Sequence, residues 1–163
     1  MYIIIGDNMY SSELICNILI YIDKNLKNKI SIEDLENTFF YNRYYIMKLF
    51  KQEIKLTINE YINSLKINYA IKLIKETDNS FLNIALSSGF NSLEYFSEMC
   101  KKVSNANPTQ INNYFKNKKK NKEEINEKIT SSIISLYDIS KIKENYLSKR
   151  KPKEPQTKIL SIF

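Results

Sequence analysis

Apolar side chains recur along this chain at helical spacing, three and four residues apart. In "SELICNILIYIDKNL", residues 12–26, Leu14, Ile15, Ile18, Tyr21 and Ile22 share a face, and Ser12 stands where an N-cap would. "ISIEDLENTFF" follows, with Ser31 and Asp34 spaced as a capping box and Ile32 and Leu35 opening a short apolar face. "YNRYYIMKLFKQ" places Asn42 as a cap and Ile46, Leu49 and Phe50 on one stripe. The longest pattern is "LTINEYINSLKINYAIKLIKETD". There Thr57 and Glu60 form a capping box, and Ile58, Ile62, Leu65, Tyr69 and Leu73 repeat. "SFLNIALSSGF", capped by Ser80, and "NSLEYFSEMCKK", capped by Asn91, predict two more helices. Ile84, Phe90, Tyr95, Phe96 and Met99 are spaced as packing residues.

The order of elements repeats. Leu35 aligns with Ile84, Tyr41 with Phe90 and Asn42 with Asn91, each pair 49 residues apart, which points to an internal duplication. Each unit is a short helix, a tight turn and a longer helix, the pattern of a helix-turn-helix. Gly89 is one of only two glycines in the chain and falls in the second turn. A residue there with positive φ meets no Cβ clash if it is glycine. Ala85, four residues earlier, lets the second helix approach closely.

With three prolines and two glycines, the chain lacks the turn residues of a sandwich or barrel, so the fold class is all-α. Its expected organisation is a segment at 1–11, a domain at 12–116 and a tail at 117–163. Within the domain the units fall at about 31–52 and 80–102, joined by a helix at about 58–76. In the tail, "KNKKKNK" reads as a charged linker or backbone-binding arm. Ile125, Ile129, Ile133 and Leu136 predict one amphipathic helix around 123–137, packed on the domain or on another chain. "KRKPKEPQ" reads as a linker and "TKILSIF" as a strand, the remnant of a lost effector domain.

Charge and chemistry narrow the function. The net charge is +7; residues 1–116 hold 13 basic and 12 acidic side chains, and the other 12 and 6 lie in the tail. A basic balance suggests an anionic partner, although Lys, Asn and Ile also accumulate through A/T-rich codons. There is no histidine, and Cys16 and Cys100 stand alone, so neither a His-dependent nucleophile nor a zinc site can be assembled. No Gly-rich phosphate loop occurs. An enzyme is not expected, nor a metal, a cofactor or a membrane span, and the compartment expected is the cytoplasm.

The string from "ISIEDL" through "YNRYYIMKLFK", "LTINEYINSLKINYAIKLI" and "NIALSSGFNSLEYFSEMCKK" to "NPTQ" resembles the DNA-binding domain of the AraC/XylS transcriptional regulators, over roughly residues 14–115. That resemblance implies two helix-turn-helix subdomains on a rigid linking helix, binding double-stranded DNA to activate transcription and meeting RNA polymerase there, as monomer or dimer. Recognition helices would enter major-groove segments about one helical turn, ~34 Å, apart. It places the base-reading positions at Tyr44, Met47 and Lys48, with Arg43 and Lys51 beside them. In the second unit they fall on Leu93, Glu94, Ser97 and Glu98, with Ser92, Lys101 and Lys102 toward the backbone. The chain departs from the family at several positions. Glu36 and Phe40 replace an alanine and a turn glycine, which predicts a reshaped first turn. Lys55 and Asn105 replace glycines, and Glu98 and Cys100 replace an arginine and a phenylalanine. Glu94 is expected in a capping box with Asn91, and Glu98 in ion pairs with Lys101 and Lys102. The alternative is a protein-interaction module or anti-regulator that no longer reads DNA.

Overall fold

The computed structural model describes residues 6–119 and 127–149, and all regular structure among them is helical. The helices are α1 (Gly6–Lys24), α2 (Ile32–Phe39), α3 (Arg43–Ile54), α4 (Ile58–Glu76), α5 (Phe81–Ser87), α6 (Leu93–Ser104), α7 (Pro108–Lys119), α8 (Glu127–Ser140) and α9 (Ile142–Lys149). Local chemistry sets most of the starts. Ser31 and Asp34 cap α2 reciprocally, with the Ser31 N–H donating to Asp34 Oδ2 at 2.8 Å and the Asp34 N–H to Ser31 Oγ at 3.2 Å. Thr57 and Glu60 do the same for α4, at 2.7 and 3.2 Å. Asn107 and Gln110 cap α7 with a neutral pair, and Pro108 sits at the first helical position, where its missing N–H leaves no donor unpaired. The first start differs from expectation. Helix α1 begins at Gly6, so Ser12 lies inside it; no proline between them interrupts the helix.

Two cores form. The first gathers Leu14, Ile15, Ile18, Leu19 and Ile22 of α1, Leu35 of α2, Ile46, Leu49, Phe50 and Ile54 of α3, and Ile58, Tyr61 and Ile62 of α4. The second gathers Ile67, Ala70, Ile71 and Ile74 of α4 with Ile84, Ala85, Phe90, Phe96, Met99, Cys100 and Ile111. Helix α4 therefore serves both, and its buried face changes along its length. That is why the expected stripe holds only at its start. Ile58 and Ile62 are buried, whereas Leu65, Tyr69 and Leu73 are half-buried.

The duplication is visible in the caps, with one residue of difference. The unit starts, Ser31 and Ser80, are 49 residues apart, and so are the left-handed turn residues Phe40 and Gly89. The caps of the longer helices, Asn42 and Ser92, are 50 apart, and so are their left-handed C-caps Lys55 and Asn105. The second turn thus carries one extra residue, and Ser92 rather than Asn91 is the cap of α6. In the first turn Phe40 adopts φ 58°, in the place that Gly89 holds in the second.

The tail differs from expectation as well. Residues 116–119 continue α7 instead of opening a linker. Helix α8 starts at Glu127, so Ile125 lies outside the described residues; Ile129 and Leu136 are buried and Ile133 half-buried against the second core. A further helix, α9, follows and places Tyr146 in the first core. The suggested strand at 157–163 lies outside the described residues.

Candidate nucleic-acid interface

Helix α3 is the expected first recognition helix. Asn42 Oδ1 accepts the Tyr44 N–H at 2.9 Å and starts the helix. Ile46, Leu49, Phe50 and Ile54 turn into the core, which forces the intervening residues outward. Tyr44 is 76% and Met47 51% exposed; Lys48 and Lys51 are exposed too. Lys48 makes no ion pair among the described residues, whereas Lys51 lies 3.4 Å from Glu60.

Arg43, expected as a DNA contact, is held in ion pairs. Its Nη2 lies 2.8 Å from Glu36 Oε2 and its Nη1 3.1 Å from Glu33 Oε1, while its backbone N–H donates to Glu36 Oε1 at 3.1 Å. The hydrogen bond from that backbone N–H, and then the guanidinium, hold Glu36 below the usual carboxylate range. The glutamate standing at the family's alanine thus caps α3 and ties down its first cation.

Helix α6 presents a different balance, two acids beside two lysines. Ser92 Oγ accepts the Tyr95 N–H at 3.2 Å, so the expected capping box between Asn91 and Glu94 does not form. Leu93 is half-buried against the second core, and Ser97 is half-buried. Glu94, Glu98, Lys101 and Lys102 are exposed. No ion pair joins Glu98 to Lys101 or Lys102, which differs from expectation, because exposed side chains gain little from closing such a pair. Tyr95 leaves the core it was expected to join. It is 45% exposed, edge-on to Phe90, with its hydroxyl accepting from Asn63 Nδ2 at 3.4 Å. Burial pushes the Cys100 thiol up to about 12, which leaves it inert.

Two features of the second turn were not legible in the sequence. Lys66 of α4 is buried; its Nζ donates to Gly89 O at 2.7 Å and to Asn28 O at 3.4 Å, and lies over the Phe90 ring. Burial lowers its pKa. A Cβ on Gly89, at φ 81°, would sit 3.0 Å from the carbonyl oxygens of both Leu26 and Lys27. The α1–α2 loop, α4 and the second turn are therefore locked together at one point. A cleft of about 290 Å³ opens beside it, lined by residues including Lys29, Asn59, Asn63, Asn91 and Tyr95. Among the described residues, no His, Cys, Asp or Glu cluster could hold a metal ion, and no helix is long and apolar enough to cross a membrane.

Known proteins with this arrangement exist. A family described as a helix-turn-helix domain matches residues 35–114. The chain is 32% identical over 90 residues to the melibiose operon regulatory protein of Escherichia coli K12, an alignment covering 55% of this chain and 30% of that protein. It is 27% identical over 100 residues to the HTH-type transcriptional activator AarP of Providencia stuartii, covering 61% and 74%. In fold it is similar to a transcriptional regulator with an AraC-type DNA-binding domain from Chromobacterium violaceum, with a TM-score of 0.58, 24% identity and coverage of 64% and 94%.

Proposed function

We propose that residues 35–114, which match a helix-turn-helix domain family, form an AraC/XylS-type domain through which the chain binds duplex DNA as a transcription regulator, reading the major groove mainly through α3. The exposed face of α3 carries this reading. Tyr44, Met47 and Lys48 stand outward together on a helix whose other side is fully packed. Lys48 can reach guanine O6/N7 or a phosphate, and Tyr44 can pack on a thymine methyl. Helix α6 sets the register through Ser92, Lys101 and Lys102, since Glu94 and Glu98 repel phosphates. The regulator works in the cytoplasm as an activator and meets RNA polymerase at the promoter, in keeping with its similarity to a transcriptional activator.

The test is selection of bound sequences from a random duplex pool, followed by titration against salt. Affinity should fall linearly on a log–log plot, by about 0.9 per phosphate neutralised. Lys48→Ala should weaken binding by about 1–3 kcal/mol, while Glu98→Ala leaves affinity equal or raises it. Failure to enrich any sequence, with no salt dependence, would instead support a protein-interaction module.

A further inference from the structure

The helix-turn-helix match ends at residue 114, and α8 and α9 lie beyond it. They are nonetheless built into both units. Helix α8 packs on α4 and α6, putting Ile129, Ile133 and Leu136 into the second core. Helix α9 packs on α1, putting Ile142 and Tyr146 against the first. Ile139, near the end of α8, touches both cores. Four polar contacts follow the same path. In the second unit, Asn105 Nδ2, at the C-cap of α6, donates to Ser132 Oγ at 2.9 Å, and the Thr130 hydroxyl donates to the Tyr114 hydroxyl at 3.2 Å. In the first, Lys143 Nζ pairs with Asp23 Oδ2 at 2.6 Å, and the Tyr146 hydroxyl donates to Glu53 Oε2, in the last turn of α3, at 3.0 Å. Tyr44, Met47, Lys48, Glu94 and Glu98 stay exposed beside this packing. Among the described residues, α8 and α9 therefore leave these side chains of the recognition helices uncovered. Two of the tail's four polar anchors, Asn105 and Glu53, sit at the C-terminal ends of α6 and α3.

We propose that α8 and α9 brace the two units at one relative orientation, and so set the spacing at which α3 and α6 meet DNA without touching it. The consequence for DNA rests on the reading above; the brace itself does not. Two modules held in register bind a two-segment site as one, and lose that advantage when the connection loosens.

The test uses the full chain with Lys143→Glu and Tyr146→Ala, which unhook α9 from the first unit, its fold checked by amide dispersion in NMR. Lys143→Glu paired with Asp23→Lys is the milder variant that restores the ion pair. In the first arm, spin labels at Gln52→Cys and Lys102→Cys, with Cys16→Ser and Cys100→Ala, report the distance between α3 and α6 without DNA. The intact tail should give one narrow distribution, the unhooked tail a broad one, and the swapped pair the narrow one again. Equal widths in all three would overturn the brace. In the second arm, a duplex enriched from a random pool is compared with the same duplex carrying one segment scrambled. Unhooking should weaken binding to the intact duplex on the order of tenfold, and to the scrambled one by less than about twofold. An equal loss on both, or none, would overturn the link to spacing. If the unaltered chain enriches no duplex, the DNA reading fails while the label distances still decide the brace.

Discussion

The first helix-turn-helix turns through Phe40, 92% exposed at φ 58°, and the second through Gly89 at φ 81°, pressed against the carbonyls of Leu26 and Lys27. Both turns need a left-handed residue. In the first, the side chain projects into solvent, so an L-residue bears only its intrinsic strain of roughly 1–2 kcal/mol. In the second, a Cβ would also meet two backbone carbonyl oxygens at 3.0 Å. A glycine-poor chain keeps its glycine where two constraints coincide and does without where there is one. Four residues before each turn the same logic holds. Glu36 lies at a half-exposed edge and can reach Arg43, whereas Ala85 is fully buried beneath α6.

The sharpest way to break this comparison is to give the second unit the first unit's residue. Ala85→Glu would put an unpaired carboxylate in a closed core, and we expect a loss of about 3 kcal/mol or more, read by denaturant unfolding. An unchanged midpoint would mean the two junctions are equivalent after all. Next in size is Gly89→Ala, expected to destabilise by about 2 kcal/mol through strain and contact together. The reverse exchange, Phe40→Gly, should raise stability by about 0.5 kcal/mol, as relief of strain outweighs added chain entropy. Loss of stability in Phe40→Gly would show that the phenylalanine packs on something in solution.

The smallest effect separates the halves by pH. Helices α2 and α4 start on carboxylates, Asp34 and Glu60, whereas α7 starts on the neutral Asn107–Gln110 pair. The Thr57 backbone N–H, and then its hydroxyl, pull Glu60 down from 4.5 to about 2, and Ser31 lowers Asp34 likewise. A carboxylate held low in the fold contributes stability that is complete above its unfolded value and lost as pH falls through its folded one. Between pH 4.5 and about 2, amide exchange at the starts of α2 and α4 should therefore accelerate more than at the start of α7. Equal acceleration at all three would assign acid loosening to the whole bundle instead.

What could be read in advance was local. The Ser31, Asn42, Thr57 and Ser80 caps follow from a side chain reaching two or three residues along its own backbone, and the core of α3 from one helical period. Several of the misjudged points depended on packing. Asn91 and Ser92 are equally good caps in isolation; with Phe90 buried and packed on Phe96, Ser92 takes the role. The pairing of Arg43 with Glu33 and Glu36 joins two helices.

The sequence by itself determined an all-α chain, a duplicated helix-turn-helix plan and a glycine in the second turn, because periodicity, capping and left-handed turns are written within a few residues. Only the tertiary structure decided that Lys66 is buried under the Gly89 and Asn28 carbonyls, and that Tyr146 reaches Glu53 from the far end of the chain. Those contacts join segments many residues apart, and no local pattern encodes which carbonyl or carboxylate the folded chain brings within reach.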